Sequence, residues 1–406
     1  MHNGENYYQT LVVDRVEEDT VYVDTHFYEN ATTSIVTFDA GSVVNIYNVI
    51  FEIVANNKYL ANDVVLDNVN IRNINIIGSQ AGYDANNFII FDGRYTGLIW
   101  AHSVKDSWLE SNNIHTCLCN AISYLGTCTN VHIVDNFIAH CHSSFEATTE
   151  TEVAMVFHWS QRFIGASYTA SRCVIDGNVI EDCYDGIFLS ASSYMTVSNN
   201  NLRNINYRGL MVYAGDNNYA NRNHVINGNT FYNCSGANNV ATIYLSSAIQ
   251  SIVSNNNISG CNNGVAIGKA DDCLICNNEF IACSNIGIPI YNGYRNTIKD
   301  NYFLGNSASD ILINKQDAGN SYLTIDGNTH NGTKSSGGAI DIENGAAIKI
   351  LNEVCHGTPT YLLKVNTTNV TLGNVLVMNS YVNAGLALSA ELAVLKYIGC
   401  VNSSNA

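Results

Sequence analysis

An asparagine recurs through most of this 406-residue chain at a nearly constant spacing. Ten copies align, and successive copies lie 22 to 29 residues apart except for one gap of 42 residues. Most copies have an apolar residue two places later, and six have a cysteine five places later. A period in this range predicts a solenoid in which each repeat stacks on its neighbours. The copies are Asn112, Asn136, Asn178, Asn200, Asn229, Asn256, Asn278, Asn301, Asn328 and Asn352.

Each repeat contains three short apolar segments separated by turn residues. Around Asn178 the segments are 174–176, 179–183 and 187–190, and Gly or Asn stands at the corners between them. A sandwich would need longer alternating strands joined by hairpin turns. The pattern therefore predicts an all-β, single-stranded right-handed parallel β-helix of about 10–13 coils. We expect an irregular β segment over 1–59, the β-helix over 60–375, and a C-terminal cap or oligomerisation segment over 376–406.

The repeated polar residues are interpreted as scaffold. An asparagine tolerates the left-handed backbone of a sharp corner, and its amide can bond to the asparagine of the next coil. The cysteines are expected to form an interior stack of free thiols. Two alternatives remain, in which zinc is bound by His115, Cys117, Cys119 and Cys128, or by His140, Cys141 and His142. The stacked cysteines are Cys117, Cys141, Cys183, Cys234, Cys261 and Cys283.

The overall charge limits the ligands. The formal net charge is −17, so nucleic acid is an unfavourable partner, and a polyanionic glycan would need a local basic pocket or a bound cation. There is no apolar run long enough for a membrane span, and no signal peptide is visible. We expect no cofactor, with a bound Ca²⁺ as the alternative.

The 42-residue gap follows Asn136 and contains an insertion of polar and aromatic residues between 142 and 172. Insertions in a single repeat usually form loops on one face, which is often the binding face. The insertion holds Glu146, Glu150, Glu152, His158 and Trp159.

The segments 174–183 (VIDGNVIEDC) and 184–189 (YDGIFL) resemble the repeats of the pectin-lyase-like superfamily of right-handed parallel β-helices. That resemblance implies a protein that acts on carbohydrates, or a phage tailspike. It also implies an extracellular or virion location and a homotrimer or other homo-oligomer. The Gly-His-Gly motif of polygalacturonases and the Tyr-Gly-x-Asp-Pro-His motif of alginate epimerases are absent, so no single family is matched. Fold alone does not establish function.

One strand of each repeat is expected to carry the ligand groove. Alternation places aromatic side chains outward on this strand, where they suit the apolar faces of sugar rings. The alternative is that this face is a contact between subunits. The predicted substrate-binding residues are Trp159, Phe188, Tyr213, Tyr244 and Tyr291, and Met211 lies in the same outward row.

Glycoside cleavage requires two carboxyl groups, about 5 Å apart for retention and about 6.5–9.5 Å apart for inversion. We therefore expect a poly- or oligosaccharide to be cleaved or rearranged by carboxylates on the groove, as in a glycoside hydrolase or a glycosyl-transferring enzyme. The alternatives are a polysaccharide lyase and a non-catalytic glycan-binding adhesin or tailspike shaft. Asp185 is interpreted as a turn residue. The candidate catalytic residues are Glu146, Glu150, Glu152, His158, Asp182, Asp216 and, for a lyase, Arg208.

Overall fold

A computed structural model describes most of the repeat region and separate strands on either side of it. Every element in the described part is a β-strand, and Val12–Glu17 and Thr20–Asp24 form an antiparallel hairpin of their own. No helix long and apolar enough to cross a membrane occurs among the described residues. The described residues are 12–17, 20–24, 44–47, 51–53, 66–77, 97–102, 104–117, 120–125, 127–141, 153–158, 170–213, 221–234, 240–314, 322–334, 338–343, 345–356, 362–365, 373–382, 395–398 and 400–402.

The remaining strands form a parallel solenoid with three faces. The ladder face is the 14-stranded sheet that follows the repeated asparagine in each coil. Its strands are Val44–Tyr47, Ile74–Ile77, Asn113–Cys117, Phe137–Cys141, Val179–Glu181, Asn201–Arg203, Thr230–Tyr232, Asn257–Ser259, Glu279–Ile281, Tyr302–Leu304, Thr329–Asn331, Val354–His356, Tyr381–Val382 and Val401–Asn402.

The next face along each coil is the groove face. Two of its strands, Asn263–Asp271 and Ile286–Tyr294, continue around the corner into the third face, which joins both faces into one 30-stranded sheet. The other strands of the groove face are Phe51–Ile53, Gly97–His102, Asn120–Leu125, Val153–His158, Asp185–Ser190, Leu210–Tyr213, Ala241–Ser246, Ser309–Ile313, Ile340–Ile342 and Leu363–Val365.

The third face closes each coil before the next asparagine. Some coils carry a two-residue strand at the corner ahead of the main strand. The strands are Leu66–Asp67, Asn70–Arg72, Val104–Glu110, Thr129–Val134, Ala170–Ser171, Val174–Asp176, Ser192–Ser193, Thr196–Ser198, Asn221–Arg222, Val225–Asn227, Ala248–Ile249, Ile252–Ser254, Leu274–Cys276, Thr297–Lys299, Thr324–Asp326, Ala346–Leu351, Gly373–Met378 and Leu395–Ile398.

The predicted right-handed parallel β-helix is confirmed. Equivalent residues stack in register, as in the column of Ile180, Leu202 and Phe231, all fully buried. The ladder face has more strands than the 10–13 coils expected, because its pairing begins at Val44 and ends at Asn402. Parallel pairing therefore extends beyond the predicted limits of 60 and 375 at both ends.

The asparagine ladder is continuous through nine coils, from Asn112 to Asn328. The Oδ1 atom of Asn200, for example, accepts from the backbone N–H of Asn178 at 3.0 Å and from its Nδ2 at 2.9 Å. One detail of the sequence interpretation is wrong, because the left-handed residue is the one before the asparagine, such as Gly177 or Asn199. That residue makes the corner, and the asparagine itself points inward and satisfies buried backbone groups.

The last predicted copy is also wrong. Asn352 is the left-handed corner residue, and its Nδ2 donates to the Asp326 carboxylate at 2.8 Å. Glu353 takes the ladder position, and its Oε1 accepts from the backbone N–H of Asn328 at 3.2 Å. A glutamate oxygen can accept the same two hydrogen bonds as an asparagine oxygen. The backbone N–H of Glu353 donates in turn to Oγ of Ser380 at 3.3 Å, so the ladder continues with other residue types.

The predicted interior cysteine stack is confirmed for Cys141, Cys183, Cys234, Cys261 and Cys283, which are buried free thiols. The side chain of Cys117 lies outside the described residues, as does Cys119. His140 next to the stack is exposed, and its Nδ1 lies 3.7 Å from Oδ2 of Asp182. Neighbouring residues of a strand point to opposite sides, so His140 and Cys141 do not face a common point.

Candidate functional site

A row of large side chains lies on the outer side of the groove face. Phe188, Met211 and Tyr244 occupy equivalent positions in three consecutive coils. They form a cluster with Tyr213 that is separate from the interior core. Within it Phe188 and Met211 are only 5% and 3% exposed. The predicted outward row is therefore present, but Phe188 and Met211 form its covered base, and the tyrosines form its accessible surface.

A groove with a volume of about 770 Å³ runs along this row. It brings together four of the predicted site residues, Arg208, Tyr213, Tyr244 and Tyr291. The described residues that line it are Tyr207, Arg208, Tyr213, Val240, Ala241, Tyr244, Ser246, Ser247, Ala266, Gly268, Lys269, Asn285, Ile286, Tyr291, Asn292, Leu312 and Asn314.

Arg208 is held in the groove by aromatic rings. Its guanidinium carbon lies 4.3 Å from the ring centroid of Tyr207 and 5.9 Å from that of Tyr244. Its Nη2 donates to the Tyr207 hydroxyl at 3.1 Å. Its backbone N–H donates to Oδ1 of Asp185 at 2.7 Å, so the buried Asp185 holds the turn below the groove.

The described lining of the groove carries positive charge, although the protein as a whole is acidic. Arg208 makes no ion pair with any carboxylate of the described residues, whereas Arg203 and Arg295 pair with Glu181 and Asp272 elsewhere on the surface. Lys269, which is exposed, adds a second positive charge to the lining. The described lining contains no carboxylate. This arrangement leaves the Arg208 guanidinium available to bind an anion.

Tyr291 lines the groove and carries a hydroxyl that can donate a hydrogen bond to a ligand. Burial raises the pKa of its hydroxyl, and the nearby Tyr244 adds to the effect. A tyrosine with a raised pKa remains protonated at neutral pH, so it can donate to a ligand but is a poor general base.

Tyr244 depends on a glycine for its position. A Cβ atom on Gly268 would lie 2.7 Å from the Tyr244 hydroxyl oxygen, closer than real contacts allow. The missing side chain lets the Tyr244 ring and hydroxyl lie directly against the backbone of Gly268.

Sequence reasoning missed one carboxyl group on the same face. Asp341 pairs in register with the groove residue Leu312, one coil beyond the groove lining. Burial raises the pKa of Asp341 to about 6, although the backbone N–H of Gly338 donates to its Oδ1 at 2.7 Å. The signal in the sequence was the alternation of Ile340, Asp341 and Ile342, which places the aspartate outward on a strand already assigned to this face.

Asp182, predicted as catalytic, is not among the described residues that line the groove. It is a left-handed corner residue just after the ladder-face strand Val179–Glu181. Its Oδ1 accepts from Nδ2 of Asn204 at 3.0 Å, in an exposed stack of corner residues that continues to Asn233. Asp182 therefore carries a corner hydrogen bond, and it is not among the residues that line the groove with Arg208 and the tyrosines.

The insertion contributes an ordinary coil strand. Val153–His158 belongs to the groove face, where His158 is in register with Leu125 and Phe157 with Leu189. The residues of the long gap on either side of this strand, 142–152 and 159–169, lie outside the described residues. The His158 side chain and the candidates Glu146, Glu150, Glu152, Trp159 and Asp216 lie outside the described residues.

Several solved structures have a fold similar to that of this chain. The chain matches a tailspike protein mutant of E. coli bacteriophage HK620 in complex with hexasaccharide, at 11% identity and a TM-score of 0.51, over 91% of this chain and 72% of that one. The periplasmic alginate epimerase AlgG matches at 10% identity and a TM-score of 0.47, over 91% and 78%. XylC in complex with xylose matches at 10% identity and a TM-score of 0.46, and the matched part covers 69% of this chain but 55% of XylC. At these identities the likeness concerns the fold alone.

Sequence comparisons give the family. No curated protein sequence matched the chain. The model of the family described as right-handed β-helix region matched residues 145–237 and 219–355. These matches together span more than half of the 406 residues, and the chain therefore belongs to the right-handed β-helix family.

Proposed function

We propose that the groove binds a poly- or oligosaccharide and that Arg208 binds an acidic group on one of its sugars. The observation that carries the proposal is the guanidinium of Arg208, which lies between two tyrosine rings without a carboxylate partner among the described residues. Flat aromatic surfaces with a few polar groups are typical of ligand sites. A uronate offers both an apolar ring face for the tyrosines and a carboxylate for the guanidinium.

The local charge supports an acidic ligand despite the net charge of −17. Lys269 adds to the positive charge of the lining, and the described lining has no carboxylate to oppose it. Fields near a binding site depend on the nearest charges, because salt screens charges beyond about 8 Å at physiological ionic strength. The global charge therefore does not prevent an anionic sugar from binding here.

A second candidate function is cleavage of the bound glycan. It is favoured by Asp341, whose pKa of about 6 suits a proton donor near neutral pH and whose strand neighbours the groove residue Leu312. A hydrolase would need a second carboxyl group, for which the predicted residues Glu146, Glu150, Glu152 and Asp216 are the candidates. A lyase would use Arg208 to neutralise the uronate, with His158 as the candidate base.

Binding is tested by calorimetry with a uronic-acid oligosaccharide and a neutral oligosaccharide of the same length. We expect Arg208→Ala to weaken binding of the uronic-acid ligand by about tenfold to a hundredfold, since a hydrogen bond to a charged group contributes about 1.5–3 kcal/mol. Arg222→Ala is the matched control, because Arg222 is an exposed arginine on the third face. Equal affinities of wild type, Arg208→Ala and Arg222→Ala for the uronic-acid ligand would refute the assignment of Arg208.

Catalysis is tested by analysing the same incubations for products. Shorter oligosaccharides would support a hydrolase, and products with an unsaturated end would support a lyase. Asp341→Asn should abolish product formation without weakening binding. Binding without any product would support the adhesin or tailspike-shaft alternative.

The predicted homo-oligomer and the extracellular or virion location remain predictions. Light scattering of wild type and Tyr213→Asp tests whether the tyrosine surface is a subunit contact. If the variant changes the mass of the particle, the groove is an interface, and the glycan proposal fails.

A further inference from the structure

The core contains one cluster of polar side chains that the groove does not use. Asn306, Asp310, His330 and Glu353 are at most 1% exposed, and the Lys334 side chain is 1% exposed. A buried lysine is rare unless it is paired. The cluster lies where the ladder and groove faces meet, inside the coil.

The polar residues of this cluster occupy repeat positions at which the preceding coil has a glycine, a phenylalanine and a cysteine. Asp310 occupies the position of Gly287, and His330 that of Phe303. Gly287 lies against the Phe303 ring, and Asp310 lies against His330 in the same way. Asn306 likewise occupies the position of Cys283 in the cysteine stack, one coil later.

The contacts bring an amine, an amide and a carboxylate together. Nζ of Lys334 contacts Oδ1 of Asp310, and the same Oδ1 accepts from Nδ2 of Asn306 at 2.8 Å. Nζ also lies 3.3 Å from the backbone oxygen of Asn306. The Asp310 carboxylate therefore bridges the lysine amine and the asparagine amide.

The other groups hold these three in place. Oδ1 of Asn306 accepts from the backbone N–H of Cys283 at 3.0 Å. Oδ2 of Asp310 lies 3.0 Å from Nδ1 of His330, whose Nε2 is 2.7 Å from Oε2 of Glu353. The amide oxygen thus has a donor that can stabilise negative charge, and the carboxylate has a fixed orientation.

We propose that Lys334 and Asn306 become joined by an intramolecular isopeptide bond, with Asp310 carrying the protons. The bond would tie two neighbouring coils together through their interior. It forms in the folded chain, because only the fold brings residues 28 positions apart into contact.

The reaction balances without an oxidant or a cofactor. Lys334 transfers a proton to Asp310, and the neutral Nζ attacks Cγ of Asn306, which places negative charge on Oδ1 beside the N–H of Cys283. Asp310 passes this first proton to Nδ2, takes a second proton from Nζ and passes that to Nδ2 as well, so that Asp310 ends as a carboxylate and Nζ keeps one hydrogen. The Nζ–Cγ bond forms, the Cγ–Nδ2 bond breaks, and the nitrogen leaves as ammonium.

The burial of the cluster favours the attack. It excludes the water that would compete with the amine for Cγ. Holding nucleophile and acceptor side by side makes the attack intramolecular, which greatly raises its effective concentration.

The test is the intact mass of the denatured full chain. We expect wild type to be lighter than its sequence mass by one ammonia, and proteolysis to yield a branched peptide containing residues 306 and 334. Lys334→Arg and Asp310→Asn should have their full sequence masses, while the control Lys349→Arg, altered on the exposed side of the third face, should still lack one ammonia. A wild-type chain at full sequence mass overturns the proposal whether or not the variants fold, and loss of water in place of ammonia overturns the assignment of Asn306.

Discussion

The Nε2 atom of His330 lies 2.7 Å from Oε2 of Glu353 inside the β-helix, with both side chains almost completely buried. The Nδ1 atom of the same imidazole lies 3.0 Å from Oδ2 of Asp310. Burial by itself lowers the pKa of His330, but hydrogen bonds to the two carboxylates and their charges outweigh burial and raise the pKa to about 9. The core therefore holds a charged histidine at neutral pH.

The first prediction concerns the stability of the protein at alkaline pH. Because the folded pKa of His330 is above its ordinary value of about 6.5, its contribution is fully present below pH 6.5 and is lost as pH rises through about 9. We expect the melting temperature of wild type to fall across this window. Circular dichroism melts of His330→Gln should lack this fall, and superimposable pH profiles of the two proteins would contradict the prediction.

The second prediction concerns the asparagine ladder. Asn200→Ala removes the acceptor for the backbone N–H and the Nδ2 of Asn178. It leaves buried donors unsatisfied, which should cost about 2–4 kcal/mol of unfolding free energy. Asn201→Ala, at the next and exposed position, should change stability by less than about 0.5 kcal/mol. Urea unfolding of both variants checks the difference, and equal costs would argue against the ladder as a source of stability.

The third prediction concerns the glycines beneath the phenylalanine rings. A Cβ atom on Gly287 would lie 2.6 Å from the backbone oxygen of Asp310 and 2.8 Å from the Phe303 ring. Gly287→Ala should therefore lower the free energy of unfolding by about 1–3 kcal/mol or more through overpacking. Gly305→Ala is the contrasting variant, because its site is open but its φ of 68° is left-handed. It should cost only about 1 kcal/mol, and a cost as large as that of Gly287→Ala would show that backbone strain dominates.

The fourth prediction concerns Asp341. Its folded pKa of about 6 is above the ordinary value near 4, so the charged form is disfavoured in the fold, and its contribution to stability is lost as pH rises from about 4 to 6. Asp341→Asn should then raise the free energy of unfolding at pH 7 by about 3 kcal/mol. The gain should vanish near pH 3, where Asp341 is protonated in both states. Asp326→Asn, on the third face, is the control, and a gain of the same size there would indicate a general effect of removing charge.

A residue of a binding or catalytic site often makes the folded protein less stable than a substitute at the same position would. A stabilising Asp341→Asn that also loses product formation would support a functional role for this carboxyl group. A stabilising variant that retains activity would assign Asp341 to the scaffold of the groove face.

Much of the fold could be predicted from the sequence, because it repeats. The spacing of the asparagines, the apolar residue two places later and the cysteine five places later all depend on a coil of fixed length. Strand alternation also predicted the outward row that includes Tyr213 and Tyr244. These features are local or periodic, so they are readable without knowledge of which coils touch.

The candidate site was only partly predictable. Asp182 follows a short strand and belongs to a stack of corner residues. Asp341 lies within a short strand and is beside the groove. The position of Arg208 between the rings of Tyr207 and Tyr244 depends on contacts between different coils. Such contacts join residues that are far apart in the sequence. The local sequence pattern does not specify which of these residues lie next to each other in neighbouring coils.

The sequence by itself determined a parallel β-helix with stacked asparagines and cysteines, because side chains that recur with the coil period stack on the same side of every coil. Only the tertiary structure decided that the asparagines point inward, that Glu353 rather than Asn352 follows Asn328 in the ladder, and that Asp310, His330 and Lys334 meet inside the coil. The physical reason is that a shift of one residue in a strand exchanges its inner and outer faces. That shift is fixed by packing against the neighbouring coil, and not by the residues of the strand alone.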